Sequence, residues 1–196
     1  MTTGGVGVMA NKRAISAGVG AVMAIAASII VPFEGTKLES YRDAVGVWTV
    51  CTGHTATAAP GQTLTPAQCD ELLEQDMREA LNAVDRIITA PLPDDTRAAF
   101  VSFTYNVGAG NLQRSTLARL ANAGELEAAC NELSRWVYAG GERLRGLARR
   151  RAVERDVCLE GVRDAEQAAN EADSVGAGDS AGRWHWFDVA TQWVTG

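Results

Sequence analysis

Residues 34–54 have the sequence EGTKLESYRDAVGVWTVCTGH, and this stretch predicts how the first part of the chain folds. After Asp43 the side chains alternate between two faces, Val45, Val47, Thr49 and Cys51 on one and Gly46, Trp48, Val50 and Thr52 on the other. A period of two in β-branched and aromatic residues is typical of a strand or hairpin. The stretch therefore predicts a short ribbon that carries two carboxylates, Glu34 and Asp43, and the hydroxyl of Thr49.

Two carboxylates placed in this way suit the cleavage of a glycosidic bond. One carboxyl protonates the leaving oxygen, while the other handles the water or the oxocarbenium charge. Glu34 follows Phe33 and an apolar run, so we expect its neighbours to desolvate this carboxyl partly, as suits a general acid. Two acids nine positions apart are also common as solvated surface groups, so the pair alone does not define a site.

The order of these residues resembles the active-site segment of the phage-type lysozymes, the endolysin family of muramidases. The segment has Glu34, eight residues, Asp43, five residues, Thr49, and then Gly53 and His54. Later blocks also resemble family segments, namely YNVGAG at 105–110, WVYAGG at 136–141 and GLARRR at 146–151. The resemblance covers roughly residues 33–159, and several blocks in order are more specific than one motif.

The resemblance implies an enzyme that hydrolyses the β-1,4 bond between N-acetylmuramic acid and N-acetylglucosamine in bacterial peptidoglycan, and so lyses the host and releases phage progeny. It implies Glu34 as general acid, with Asp43 and Thr49 positioning a water in an inverting reaction. The four cysteines and two histidines show none of the tight C-x-x-C spacings of a zinc site, so no metal or cofactor is expected. Two alternatives are a lytic transglycosylase, which needs one acid and no water-activating partner, and a non-enzymatic membrane lysis protein of the pore type.

Three features near these motifs have more than one interpretation. Where the family usually has a glycine two residues before Gly53, this chain has Cys51, which raises redox control of the site as a hypothesis. His54 is expected to support the region structurally rather than to act in catalysis. The arginines of residues 143–155 are interpreted as a solvated helix face with local pairs such as Arg150–Glu154. Alternatively, some of them pair with core or catalytic carboxylates, or face the anionic bacterial wall.

The charge is distributed unevenly along the 196 residues. The formal net charge is −6, which argues against a nucleic-acid binder. Residues 1–32 carry two basic groups and no acidic group, residues 33–159 carry 14 basic and 17 acidic groups, and residues 160–196 carry 2 basic and 7 acidic groups. These segments correspond to an N-terminal leader and signal-anchor (1–32), a catalytic domain (33–159), and an acidic linker with an aromatic tail (160–196).

The N-terminal segment has 18 uncharged residues, 14–31, after Lys12 and Arg13. This length is near the lower limit for a membrane span, and many of the residues are small, so the segment predicts a marginal anchor. The basic pair predicts a cytoplasmic N-terminus in the host inner membrane and an exported C-terminus, with later release to the periplasm as in the signal-anchor-release subtype that the resemblance implies. Alternatives are a buried core helix and a signal peptide cleaved at the A-x-A sequence of residues 24–26.

Four cysteines downstream of an export segment predict disulfides. Of the three possible pairings, we favour Cys51–Cys69 and Cys130–Cys158, because each joins neighbours in sequence order and the second would join two consecutive helices.

The remaining elements predict an α+β, lysozyme-like fold, with a small antiparallel sheet lobe and a mainly helical lobe behind the signal-anchor helix. A capping box at Thr65 starts a helix that runs to about Ile88. Further helices are expected from Asp94 or Asp95, from Ser115, over residues 125–136, and over residues 144–159. Residues 161–182 predict a solvated linker or a frayed helix, and the aromatic tail at 184–193 either docks on its own domain or forms an exposed patch for the wall, the membrane or a partner.

Overall fold

The computed structural model describes residues 7–43 and 46–182, and the side chains of residues 18–43 and 46–174. This part of the chain combines a small antiparallel lobe with a mainly helical lobe, which confirms the predicted α+β, lysozyme-like class. Its elements are α1 (Gly7–Glu34), β1 (Lys37–Arg42), β2 (Trp48–Cys51), α2 (Pro66–Ile87), α3 (Asp94–Val107), α4 (Ala109–Arg114), α5 (Thr116–Asn122), α6 (Leu126–Glu132), a 3-10 turn (Leu133–Arg135), β3 (Tyr138–Ala139), β4 (Glu142–Arg143) and α7 (Arg145–Gly182).

The small lobe is the predicted ribbon. Strands β1 and β2 pair antiparallel, with Tyr41 opposite Thr49 and Arg42 opposite Trp48, and single bridges add Thr63 and His54 to its edges. The expected alternation of burial does not hold along β2, because the residues from Thr49 to Thr52 are all buried. The loop between β2 and α2 packs on this strand through Ala58 and Leu64, and α2 packs on it through Cys69, so both faces of the strand are covered at these residues.

Helix α1 contains the apolar segment and ends at Glu34. Its side chains at Val22, Ala26, Ile29 and Ile30 are buried at helical spacing, and three of them join the core cluster formed with α2, α3 and α7. Pro32 lies inside the helix, where it lacks the N–H that would bond to the carbonyl four residues earlier. Gly35 ends the helix with φ +67°, and its N–H donates to the carbonyl of Val31.

The described side chains of the apolar segment, residues 18–31, therefore pack one face of the helix in the domain core, as in the core-helix alternative named above. Among the helices that the structure describes, none combines the length and the hydropathy needed to cross a membrane. Helix α1 is continuous across residues 32 and 33, where the sequence suggested a boundary between anchor and catalytic domain.

Helices α2 and α3 form the centre of the molecule. The capping box of α2 is confirmed: the Thr65 side chain accepts from the N–H of Gln68, and the Gln68 side chain accepts from the N–H of Thr65. The start of α3 differs from the prediction, since Pro93 takes the cap position without a side-chain bond. Asp94 and Asp95 occupy the first turn instead, where their charge favours the positive end of the helix.

The chain after α3 contains more elements than the sequence predicted. Helix α4 follows Gly108 directly, although the glycines there had suggested only a helix end. The cap at Ser115 is confirmed, because its hydroxyl accepts from the N–H of Ala118 and starts α5. The two-residue strands β3 and β4 form a hairpin that the sequence did not predict, and Gly140 and Gly141 make its turn with positive φ.

Helix α7 is much longer than the predicted helix over residues 144–159. It extends to Gly182 and thus runs through the suggested boundary at residue 160. The residues from 163 to 174 are exposed, so this part is a solvated helix and not an irregular linker. The aromatic tail beyond Gly182 lies outside the described residues.

Both favoured disulfides are present. Cys51–Cys69 joins β2 to α2, and Cys130–Cys158 joins α6 to α7. Cys51 has φ +57°, a left-handed conformation that favours glycine, which explains why the family usually has a glycine at this position. The bond to Cys69 holds the cysteine in this conformation.

The crossing of α7 over the start of α3 depends on Gly161. A Cβ added to Gly161 would lie 2.8 Å from the backbone nitrogen of Thr96 and 2.9 Å from the Thr96 hydroxyl oxygen. That hydroxyl donates to the carbonyl of Cys158, at 2.9 Å, which fixes the two helices at short range. A side chain at position 161 therefore meets backbone that cannot move without separating the helices.

We expect Gly161→Ala to lower the free energy of unfolding by about 1–3 kcal/mol through overpacking. The matched control is Gly146→Ala in the same helix, where an added Cβ meets nothing within 4 Å, and this variant should lose no stability. Urea denaturation of both variants measures the difference. Equal unfolding free energies for the two would contradict the close approach.

Candidate active site

Glu34 lies where α1 meets the small lobe and α7. The Arg150 guanidinium donates through Nη1 to Glu34 Oε1, and the Glu34 side chain is 24% exposed while that of Arg150 is 4% exposed. The second carboxyl oxygen faces Gly53, since a Cβ built on that glycine would be 3.5 Å from Glu34 Oε2. Glu34 thus has a charged neighbour in addition to the apolar surroundings expected from Phe33.

Gly53 belongs to a turn that α3 and β1 hold in place. Tyr105 donates its hydroxyl hydrogen to the carbonyl of Thr52 at 2.5 Å, and the hydroxyls of Thr36 and Thr52 are 3.3 Å apart. Burial first, and then the negative charges of Asp76 and Glu34, raise the pKa of Tyr105 far above its usual range. Tyr105 consequently keeps its proton and acts as a fixed donor beside the carboxyl of Glu34.

His54 supports this turn from the other side. It is 2% exposed, and its Nε2 accepts from the backbone N–H of Thr57 at 3.1 Å. The hydrogen is therefore on Nδ1, which donates to Asp76 at 2.8 Å. Both ring nitrogens are occupied by structural partners, which agrees with the structural role expected of His54.

Asp43 and Thr49 are tied to the backbone of the same residue. Asp43 Oδ1 accepts from the N–H of Val47 at 2.8 Å, and the Thr49 hydroxyl donates to the carbonyl of Val47 at 3.2 Å. Thr49 is 3% exposed, and its oxygen keeps lone pairs that can accept a hydrogen bond from water. Both side chains are therefore anchored to the backbone of Val47 in the hairpin turn.

A cleft of about 590 Å³ opens beside this turn, between the small lobe and helices α2, α3 and α4. Gly53 and Tyr105 lie in its wall together with the charged side chains of Asp76, Glu79 and Arg86. The cleft therefore borders Gly53, which faces Glu34, and Tyr105, which bonds the turn that contains Gly53. Its wall offers hydrogen-bonding groups suited to a polar polymer.

The arginines of residues 143–155 divide between the solvent and the core. Arg150 and Arg151 are buried, at 3% and 1% exposure, while Arg149 is exposed. The pair Arg150–Glu154 exists, with Arg150 Nε 3.0 Å from Glu154 Oε1, but Glu154 is completely buried. Of the two interpretations, pairing with core carboxylates holds for Arg150 and Arg151, and Arg150 also contacts Glu34.

The sequence missed several residues of this site. Asp76 and Ser102 were not singled out, Tyr105 was quoted only within the YNVGAG block, and Glu154 was named only as a local helix partner of Arg150. Neither a position within a block nor helical spacing from a charged residue identifies a partner that is distant in sequence.

Comparison with known proteins gives one consistent result. The family model described as Phage lysozyme matches residues 31–154. A SAR-endolysin of Bacteriophage PS119 is 49% identical over 129 residues, which are 65% of this chain and 77% of that protein. A SAR-endolysin of Enterobacteria phage P21 is 40% identical over 158 residues, which are 76% of this chain and 96% of that protein.

Solved structures show the same similarity. The active form of the P1 phage endolysin Lyz superposes with a TM-score of 0.67 at 27% identity, covering 76% of this chain and 94% of that one. The muramidase domain of SpmX from Asticaccaulis excentricus superposes with a TM-score of 0.64 at 30% identity, covering 68% and 94%. The chain therefore belongs to the phage lysozyme family and is a peptidoglycan-lysing hydrolase of the muramidase type.

Proposed function

We propose that this lysozyme cleaves the β-1,4 bond between N-acetylmuramic acid and N-acetylglucosamine with Glu34 as the general acid. The observation that carries the proposal is the position of Glu34, whose carboxyl is held by Arg150 and faces Gly53 at the wall of the cleft. In the proposed step Glu34 gives its proton to the glycosidic oxygen as the bond to the anomeric carbon breaks. Arg150 then lies against the carboxylate that forms, and stabilises its charge.

The proposed water lies between Asp43 and Thr49. The water donates one hydrogen bond to the Thr49 oxygen. The other hydrogen of the water passes to Asp43 as a proton while the water oxygen bonds to the anomeric carbon. The products are a new reducing end and a free hydroxyl on the leaving sugar. Attack from the face opposite the leaving oxygen inverts the anomeric configuration.

The alternatives predict different products. A lytic transglycosylase uses the sugar's own hydroxyl in place of water and leaves 1,6-anhydro ends, and a pore-type protein leaves peptidoglycan intact. The hairpin turn that ties Asp43 and Thr49 to Val47 supports hydrolysis, because a transglycosylase has no use for a water-holding pair.

Glu34→Gln keeps the shape of the side chain and removes the proton, so we expect it to lose about 10²-fold or more of the turnover on purified peptidoglycan. The matched control is Glu39→Gln, at an exposed position on β1, which should turn over like the wild type. Release of reducing ends measures both. Wild-type turnover by Glu34→Gln would remove Glu34 from the role of acid.

The anomeric configuration of the first product tests the role of Asp43 and Thr49. We expect inversion, which needs the two carboxyls about 6.5–9.5 Å apart, whereas retention needs about 5–5.5 Å. Proton NMR of a soluble glycan fragment during cleavage distinguishes the two anomers before they equilibrate. A product that keeps the original configuration would instead indicate a covalent intermediate on Asp43.

We further propose that α1 anchors the exported enzyme in the host inner membrane, with its N-terminus in the cytoplasm, before it packs in the domain. Glu34 ends this helix, and thus a helix held in the bilayer would keep Glu34 away from Arg150. The similarity to proteins named SAR-endolysin supports an anchored state followed by a released periplasmic one.

The burial pattern of α1 supports release of the intact helix rather than cleavage after Ala26. Val22 and Ala26 are completely buried in the core, so cleavage would remove both side chains from it. Loss of a large buried side chain leaves a cavity that destabilises a domain by about 2–5 kcal/mol.

Replacement of Gly20, Ala21 and Ala24 by Leu should strengthen the membrane anchor without disturbing the packed state, because all three residues are exposed in the domain. Gly18 is spared, since its added Cβ would already lie 3.6 Å from the Asp94 carboxylate. We expect the Leu variant to stay in the membrane fraction and to delay lysis. The control variant replaces the same three residues by Ser.

Fractionation, lysis timing and intact mass of the periplasmic protein measure the outcome. Equal release of the Leu and Ser variants would contradict the proposal that the membrane and the domain core compete for α1. A periplasmic protein whose mass lacks residues 1–26 would show that a signal peptide is cleaved and that the intact helix is not released.

A further inference from the structure

Glu154 is a completely buried carboxylate that the catalytic steps above do not use. It lies on α7 and is 0% exposed. Glu154 Oε1 accepts from Ser102 Oγ at 2.8 Å and from Arg150 Nε at 3.0 Å, and Oε2 accepts from Arg151 Nη1. A buried carboxylate is costly unless it is fully paired, so its presence beside the site calls for a function beyond packing.

The contacts of Arg150 connect Glu154 to Glu34. Arg150 Nε donates to Glu154, Nη2 donates to the carbonyl of Ser102 at 3.2 Å, and Nη1 donates to Glu34. Because the guanidinium is planar and rigid, the bonds at Nε and Nη2 determine where Nη1 points. Glu154 therefore fixes the direction of the donor that holds the Glu34 carboxyl.

Arg151 balances the second charge of the group. It donates to Glu154, to Asn106 Oδ1 and, at 3.2 Å, to the carbonyl of Trp136, and its guanidinium lies 4.9 Å from the Phe103 ring centre. Two arginines and two glutamates thus form one group whose charges balance when Glu34 is ionised, with Glu34 as its partly exposed member. Removal of Glu154 alone would leave two buried cations with one carboxylate. Such a variant could lose activity because Glu34 is displaced or because the domain is destabilised, and the two causes could not be separated.

We propose that Glu154 is a positioning residue for the general acid, acting through Arg150 to hold Glu34 at the scissile bond. The proposal rests on the assignment of Glu34 as that acid. It predicts that turnover requires a hydrogen-bond acceptor at position 154 and does not require a negative charge there.

Two double variants separate these effects. In both, Arg151→Met removes the second cation, and position 154 becomes either Gln or Leu. Both variants keep Glu34 and Arg150 as the remaining charged pair, but Gln can still accept from Arg150 Nε, whereas Leu cannot. Glu160→Gln, at an exposed position of the same helix, is the control for substitutions on α7.

We expect the Gln double variant to turn over soluble glycan much faster than the Leu double variant, by about tenfold or more in kcat, since small displacements of a reacting group cost this much. KM should be equal, because the cleft wall is unchanged. The NMR signal of the Arg150 Nε hydrogen should exchange slowly in the wild type and the Gln variant and rapidly in the Leu variant. Thermal unfolding checks that both variants fold.

Arg150→Lys tests the same point if the Leu variant does not fold. Lysine keeps the positive charge but lacks the fork that bonds Glu154, Ser102 and Glu34 together, so kcat should fall with KM unchanged. Wild-type kcat in Arg150→Lys, or equal kcat in two folded double variants, would overturn the positioning role. Activity of Glu34→Gln in the wild-type background would instead show that the assignment of the acid had failed.

Discussion

The structure depends on one buried guanidinium. Arg150 contacts Glu34 at the end of α1, Glu154 within α7, and the carbonyl of Ser102 in α3. Taking a charge out of water costs several kcal/mol unless every donor has a partner, so the three helices are stable together only in the register that supplies all three acceptors. The packing of the domain and the geometry of the acid are therefore determined by the same contacts.

This constraint links α1 to catalysis. The apolar surface of α1 explains why the helix packs, since Val22, Ala26 and Ile30 join the core, but apolar contacts do not set which residue ends beside the cleft. The contact of Glu34 with Arg150 does so, because a helix shifted by one residue would turn the carboxyl by about 100° away from its partner. In the proposed anchored state, the small side chains of α1 would also make the helix a poor lipid solute.

Local signals in the sequence predicted the parts of the fold that local chemistry determines. The capping box at Thr65, the cap at Ser115 and both disulfides are present as expected, because each needs only nearby residues or a pairing in sequence order. The hairpin of β3 and β4 and the helix α4 were missed, since each is too short to show a period. For the site, the sequence predicted Glu34, Asp43 and Thr49 but did not single out Tyr105, which donates to a carbonyl 53 residues away in sequence.

The buried arginines show why a search for apolar periodicity fails at such a site. Among the side chains of α7 that the structure describes, residues 145–174, the buried positions are 150, 151, 154, 158, 161 and 162, which follow helical spacing. Charged residues occupy the half of this stripe nearest Glu34, and Cys158, Gly161 and Val162 occupy the other half. A count of apolar residues therefore finds only the second half and assigns the arginines to solvent. Spacing alone gives the correct face, because the buried positions keep the same helical spacing through the charged residues. A charged residue at such a buried position must have a partner in the core. Here α1 supplies that partner as Glu34, α7 itself supplies Glu154, and the catalytic carboxyl is the one of the two that remains partly open to solvent.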